Sequence, residues 1–197
     1  MHNKLPTTAA RARPAALAAH TITAAARGDH AAWQQLVDRY SSLLWAVTRA
    51  HQLNAHEAAD VIQTTWLRLI EQLPNINHPN ALGAWLATTA RRECLRSRRQ
   101  STRCQPSDQL DTHSDHQQAG ADAQLLRHER DAALWHAFKR LPPRDQALLR
   151  MLTTDPTPSY QQIAAALGIA IGSIGPKRAR ALKRLHHELT ATQPAAV

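Results

Sequence analysis

Residues 159–185, SYQQIAAALGIAIGSIGPKRARALKRL, decide the fold, because they predict two short helices joined by a tight turn. Ser159 and Gln162 have the spacing of a capping box, in which each side chain accepts a hydrogen bond from the backbone N–H of the other residue. Gly168 stands where the first helix needs a residue that tolerates positive φ. Ser173 stands where it can cap a second helix. The stretch therefore predicts a helix–turn–helix.

The second of these helices is rich in bases. It has five cationic side chains and no acid before Glu188, and the five are Lys177, Arg178, Arg180, Lys183 and Arg184. Its apolar residues, which we expect to face inward, are Ile174, Ala181, Leu182 and Leu185. A cationic second helix is typical of proteins that place side chains in the DNA major groove, although similar helix pairs also occur in plain helical bundles.

The overall charge favours a polyanionic partner. The 197 residues carry a formal net charge of +9, and the sequence pI is about 10.7. Nucleic acid and an acidic membrane surface both suit that balance. The sequence has no apolar run of about 18 residues that could span a bilayer, and its N-terminus lacks the apolar core of a secretory signal. We therefore expect a cytoplasmic protein without a membrane span.

The sequence contains cysteines and histidines, the residue types that form metal and redox sites, but it lacks the spacings that such sites require. The two cysteines, Cys94 and Cys104, are too few for a disulfide framework, so we interpret both as reduced thiols. The 12 histidines lack the spacing of metal ligands. Phosphate-binding loops and nucleophile elbows are missing from the sequence. We therefore expect no enzyme activity, no cofactor, no metal and no small-molecule substrate.

Hydrophobic spacing divides the chain into helices and linking segments. Residues 29–47 and about 56–73 each carry an apolar stripe of helical period, and the second stripe includes Ile70. A third helix is predicted over 82–99. Because no segment shows the alternation of a strand, the predicted fold class is all-α: two small helical domains joined by a flexible linker, the C-terminal one with the helix–turn–helix.

The predicted domains are small enough that each has only a thin core of its own. The predicted divisions are a disordered N-terminal arm (1–20), an N-terminal helical domain (21–100), a flexible acidic linker (101–122), a C-terminal helix–turn–helix domain (123–190) and a disordered tail (191–197).

The third helix changes from apolar to strongly basic along its length. Six arginines lie between Arg91 and Arg103, against the single acid Glu93. That density is too high for pairing within the helix. The charge therefore has to be neutralised by a partner or left in solvent.

The order of these parts resembles the extracytoplasmic-function group of bacterial RNA polymerase sigma factors, over about residues 27–189. The stretches GDHAAWQQLVDRY, AADVIQTTWLRLIEQL and ALGAWLATTARRECLRSRR are similar to successive helices of that family's N-terminal domain. LPPRDQALLRML, followed by the helix–turn–helix stretch, is similar to its C-terminal domain. Two domains in this order, with a linker between them, are a more specific match than a helix–turn–helix alone.

The resemblance implies a surface that binds the polymerase. In the family, the segment that matches Asp60 to Gln63 docks on a coiled coil of the polymerase clamp. The implied core-polymerase-binding residues are Asp60, Gln63, Thr64 and Arg68. The alternative interpretation of these residues is an ordinary solvated helix face.

The resemblance also implies a surface that opens and reads the promoter's minus-ten element. Unpaired bases can be read on their edges and stacked on planar groups, while arginines hold the phosphates. The implied residues are Asn75, Asn77, Asn80, Trp85, Thr88, Arg91, Arg92, Arg96, Arg98 and Arg99. Among them, Trp85 has the alternative interpretation of a core residue, and the arginines are assigned to the DNA backbone.

The second helix of the helix–turn–helix matches the one that enters the major groove at the minus-thirty-five element. The implied residues are Ser173, Lys177, Arg178, Arg180, Lys183 and Arg184. Many members of the family have a Val-Lys/Arg-Ser-Arg run where this chain has Ile174-Gly175-Pro176-Lys177. The sequence therefore leaves open which of these residues read bases and which contact phosphates.

The implied partners are core RNA polymerase, promoter DNA and, as a family expectation only, an anti-sigma factor. Two other classes of protein are alternatives to a sigma factor. A stand-alone helix–turn–helix regulator would account for residues 125–189 and leave the first domain without a role. A general nucleic-acid or membrane-surface binder would scatter its bases, whereas here they are concentrated at 91–103 and 177–184.

Overall fold

The computed structural model describes residues 19–76, 78–104 and 121–192. Regular structure in these residues is entirely helical, which confirms the all-α fold class. The helices are α1 (19–26), α2 (His30–Ala50), α3 (Ala55–Gln72), α4 (Leu82–Cys104), α5 (Ala121–Arg140), α6 (Pro143–Leu152), α7 (Tyr160–Leu167) and α8 (Ile174–Thr192). Short 3-10 turns occupy Leu73–Asn75, Pro79–Ala81 and Ile171–Ser173. Of the predicted arm (1–20), linker (101–122) and tail (191–197), residues 1–18, 105–120 and 193–197 lie outside the described residues, while 19–20, 101–104, 121–122 and 191–192 are helical.

Local capping chemistry sets where several helices begin. The Asp29 carboxylate accepts from the Ala31 and Ala32 N–H groups at 2.9 and 3.1 Å, which starts α2. Ser159 and Gln162 form the predicted capping box at the start of α7. A second capping box, which sequence reasoning missed, joins Asn54 and Glu57 at the start of α3. Each box satisfies backbone donors that the first helical turn would leave unpaired.

Helix α4 is longer than the sequence predicted. It continues beyond Arg99 to Cys104, because no glycine or proline interrupts the chain before Pro106. The Ser101 hydroxyl donates to the Glu57 carboxylate at 2.5 Å, which fixes this end of α4 against the start of α3. The first four residues of the predicted linker are therefore helical.

One apolar core runs through both parts of the chain, which we call the first half (19–104) and the second half (121–192). Leu44, Leu69 and Leu86 of the first half belong to the same buried cluster as Met151 and Ile163 of the second half. The two halves meet where α4 packs on α7 and α2 packs on α6. A smaller cluster joins α5, α6 and α8. The thin core expected for each half is therefore extended by the other half.

Two apolar residues expected on inward faces lie at the surface. Ile70 is 54% exposed and Leu182 is 44% exposed. Each immediately follows a buried residue, Leu69 or Ala181, and one residue step turns a helix by about 100°. Both side chains therefore point past the edge of the buried stripe.

Candidate nucleic-acid interface

The basic face of α4 presents three arginines in one row. Arg92, Arg96 and Arg99 are exposed and, with Leu95 and Gln100, line an open groove of about 510 Å³. Their spacing of three to four residues brings them to one side of the helix. A row of guanidinium groups suits the phosphate backbone of a nucleic acid, since each can donate two parallel hydrogen bonds to phosphate oxygens.

The other two predicted arginines of α4 lie elsewhere. Arg98 is exposed but does not line the groove. Arg91 is half-buried, and its guanidinium lies against Gly168 of the second half. The structure therefore separates Arg91 from the exposed row at Arg92, Arg96 and Arg99.

The loop before α4 and the first turns of α4 contribute fewer exposed side chains to the candidate nucleic-acid interface than the sequence suggested. Asn75 and Asn80 are exposed, while Asn77 lies outside the described residues. Trp85 is half-buried and packs against the large core cluster, which agrees with its alternative interpretation as a core residue. The Thr88 hydroxyl donates to the Ala84 carbonyl at 2.9 Å, so its hydrogen is used within the helix.

The outward face of α3 combines polar and apolar side chains. Asp60 is 62% exposed at its side chain and lies 3.7 Å from His56, which is itself exposed. Gln63 is exposed beside it, and Thr64 is half-buried. Leu67, more than half exposed, continues the row one turn further. This face therefore offers a partner both hydrogen-bonding groups and an apolar contact.

Arg68 holds α3 on α4 rather than facing outward with Asp60 and Gln63. Its Nη2 lies 2.8 Å from Oε1 of Glu93, whose side chain is only 11% exposed. Arg96 lies at 4.0 Å from the same carboxylate. Glu93, the single acid of the basic stretch, is therefore used to join two helices.

The start of α8 differs from the predicted cap. Residues Ile171–Ser173 form a 3-10 turn, and α8 begins at Ile174. The Ser173 hydroxyl donates to the Ala170 carbonyl at 2.7 Å instead of accepting from α8. The prediction that Ser173 caps this helix is therefore wrong, because the 3-10 turn leads directly into the helix.

The basic residues of α8 fall into two groups. Arg178, Arg180 and Lys183 are exposed, and Lys177 is half-buried. Arg184 instead pairs with Asp145 of α6 at 2.5 Å, and the Asp145 side chain is only 15% exposed. Arg184 therefore fastens α8 to α6, an arrangement that the sequence did not suggest because the two residues lie 39 positions apart.

Two further negative findings apply to the part of the chain that the structure describes. No three His, Cys, Asp or Glu side chains there come together as a metal site. No helix there is long and apolar enough to cross a bilayer.

Cys94 is fully buried, and burial raises the pKa of its thiol to about 12, so it stays protonated at neutral pH.

The comparisons with known proteins agree with this geometry. Residues 36–104, which span most of α2 and all of α3 and α4, match the family model of sigma-70 region 2. This match confirms the resemblance to sigma factors over that stretch of the chain. Comparison with curated proteins finds no significant match.

Two solved structures share the fold. One is CnrH in complex with the cytosolic domain of CnrY, with 20% identity, a TM-score of 0.56, and coverage of 88% of this chain and 97% of CnrH. The other is the sigma factor RpoE of Bartonella quintana in complex with the anti-sigma factor NepR, with 22% identity, a TM-score of 0.56, and coverage of 82% and 98%.

Proposed function

We propose that this chain is a sigma factor that binds core RNA polymerase and directs promoter-specific initiation of transcription. The observation that carries the proposal is the match of α2–α4 to sigma-70 region 2, on the helices that present the mixed face of α3 and the arginine row of α4. The basic helix α8 in the second half supports a second DNA contact.

The division of labour follows from the surfaces. The outward face of α3, at Asp60, Gln63 and Thr64, binds the polymerase. The arginines of α4 hold the strand at the minus-ten element, and Lys177, Arg178, Arg180 and Lys183 bind at the minus-thirty-five element. The protein supplies positioning and charge, while bond formation belongs to the polymerase, so the chain is not an enzyme and acts in the cytoplasm.

An anti-sigma factor is the natural regulator of such a protein. Both solved relatives are complexes, CnrH with the cytosolic domain of CnrY and RpoE with NepR. We extend that partner class to this chain because it shares the fold of both relatives over most of its length.

The test is a pull-down of purified bacterial core polymerase by this protein. The Asp60→Ala/Gln63→Ala double variant removes two exposed polar side chains from α3 and should weaken the capture. A matched control is Gln34→Ala/Asp38→Ala on α2, where both residues are exposed and hydrogen-bonded to each other at 2.9 Å. That control should capture polymerase as the native chain does.

Failure of the folded native chain to capture polymerase would favour the stand-alone helix–turn–helix regulator. Duplex-site selection with the same protein then separates the two functions, because only that regulator binds its duplex site without polymerase. Equal weakening in both double variants would remove the assignment to α3 while leaving the sigma function in place.

A further inference from the structure

The outward side of α8 begins with side chains that cannot form hydrogen bonds. Pro176, Ala179 and Lys183 are exposed and follow one another at spacings of three and four residues. This spacing places them in one row, on the side of the helix opposite the buried Ile174 and Ala181. We call these three residues the outward row. Because Lys183 comes last, the first two turns of the row are apolar.

Two large apolar side chains lie in solvent close to the outward row. Ile171, in the 3-10 turn that leads into α8, is 49% exposed, and Leu182 is 44% exposed. Leu182 is three positions from Ala179, so the two are neighbours on the helix surface. Covering such side chains with an apolar group of a partner would be favourable. The start and the middle of α8 therefore offer apolar contacts to whatever the helix binds.

Two glycines leave the backbone open between Ile171 and Ala179. Neither Gly172 nor Gly175 has a positive φ. A Cβ atom at either would meet nothing within 4 Å in the described part of the chain. Neither backbone conformation nor internal packing therefore requires them, although glycine in a helix costs stability relative to alanine. The use of glycine that fits these observations is a close approach of the backbone to a ligand.

Polar donors at the start of α8 are turned toward the chain itself. The Ser173 hydroxyl donates to the Ala170 carbonyl at 2.7 Å. The Nε of Arg180 donates to the Pro176 carbonyl at 3.3 Å. Hydrogen bonds from these two donors to base edges would have to replace contacts that already exist. The start of α8 is therefore better suited to apolar contacts than to hydrogen bonds with bases.

Cations lie on both sides of the outward row. Arg178 precedes Ala179 and Arg180 follows it, and because one residue step turns a helix by about 100°, the two flank the row on opposite sides. The helix has no acid before Glu188. An apolar centre between cations matches the major groove of DNA, where phosphates line the two edges and base edges form the floor. The apolar group on that floor is the 5-methyl group of thymine.

We propose that α8 recognises thymine: Ile171 and Ala179 contact the 5-methyl groups of thymines in the minus-thirty-five element. Gly172 and Gly175 let the backbone approach the groove floor, and the flanking cations hold the phosphates. The residues that read bases are then ones that the sequence did not single out. This inference rests on the proposed sigma function for the position of the element, while recognition of thymine by α8 can be tested without it.

The test removes the methyl group and nothing else. Promoter duplexes are selected from a randomised library with the native chain bound to core polymerase. Each thymine of the selected minus-thirty-five element, on either strand, is then replaced by deoxyuridine, which pairs with adenine in the same way and lacks the 5-methyl group. The affinity should fall by about fourfold for each methyl group that the protein buries.

Two variants separate base contacts from phosphate contacts. Ile171→Ala should reduce the preference for thymine over uracil. Arg178→Ala should weaken binding to both duplexes by the same factor and keep the preference. The matched control is Leu134→Ala, which removes a 42% exposed apolar side chain from α5 and should retain the native affinity for both duplexes. Because all three side chains are exposed, each variant should keep the circular dichroism spectrum of the native chain.

Each outcome decides between the two levels of the proposal. Equal affinity of the native chain for thymine and uracil duplexes, or a selected element without thymine, would overturn the recognition of thymine and leave the sigma function intact. An undiminished preference in Ile171→Ala would remove the role of Ile171.

Lack of polymerase capture would instead count against the sigma function. The same thymine and uracil comparison is then made with the duplex that the chain selects alone. A preference for thymine there would support recognition by α8, and selection of no duplex would overturn it.

Discussion

The Nε2 atom of His51 lies 3.0 Å from the carbonyl oxygen of Ala166, so the residue that follows α2 contacts the backbone at the end of α7. Burial lowers the pKa of His51 below 6.5, the hydrogen bond to Ala166 opposes that shift, and the nearby cations Arg91 and Arg98 add to it. The folded chain therefore favours the neutral imidazole.

The packing of α7 on the first half should consequently weaken in acid. Because the folded chain holds the pKa of His51 below its ordinary value of 6.5, this contact keeps its full stability above that pH and loses it as the pH falls toward the lowered pKa. The free energy of unfolding should therefore be smaller at pH 5.5 than at pH 7.5. In the His51→Gln variant the amide can still donate but does not titrate, so the pH effect should shrink. An undiminished pH effect in that variant would assign the response to another group.

Removing the side chain of Arg68 should destabilise the fold. The Arg68→Ala variant leaves the largely buried Glu93 carboxylate without its 2.8 Å partner. Because Arg68 is itself 43% exposed, the expected loss is about 1–2 kcal/mol. Urea unfolding measures it.

The control for Arg68 is Asp60→Ala, which breaks a contact between two exposed side chains. Its effect on the free energy of unfolding should stay within about 0.5 kcal/mol. Equal losses in the two variants would contradict a structural role for Arg68 and return it to the polymerase-binding face.

The cations of α8 should differ in their contribution to DNA binding. Arg178 is exposed, whereas Arg184 is engaged by Asp145. In the polymerase-bound protein, Arg178→Ala should reduce the slope of log affinity against log salt by about 1. Arg184→Ala should leave the slope unchanged and lower the urea midpoint instead. The reverse pattern would assign the phosphate contact to Arg184.

The thiol of Cys94 should not react in the folded protein. It is fully buried, and its pKa is raised to about 12. In a Cys104→Ser variant, an aromatic disulfide reagent at pH 8 should modify no thiol until denaturant is added and then modify one. Rapid modification without denaturant would show that α4 exposes this face in solution.

Features that depend on neighbouring residues were predictable from the sequence. The caps at Ser159 and Gly168 need only side chains within a few positions of a helix end, so their spacing was sufficient. The prediction of a cap at Ser173 was wrong because a 3-10 turn and the start of an α-helix share the same local residue preferences.

Features that depend on distant residues were not predictable. Arg68 and Arg184 have partners 25 and 39 positions away, Glu93 and Asp145, and a count of charges cannot show such pairs. The contact of α7 with α4 had one available signal, a glycine at position 83 inside a predicted helix, since such a glycine often marks a close approach.

Gly168 satisfies two separate structural requirements, and asparagine would meet only one of them. Its φ of 65° requires a residue that accepts the left-handed region, and asparagine is the usual substitute for glycine there. Asparagine would add a Cβ where the Arg91 guanidinium now lies. Asparagine at this position would therefore keep the turn and displace the Arg91 guanidinium from the end of α7.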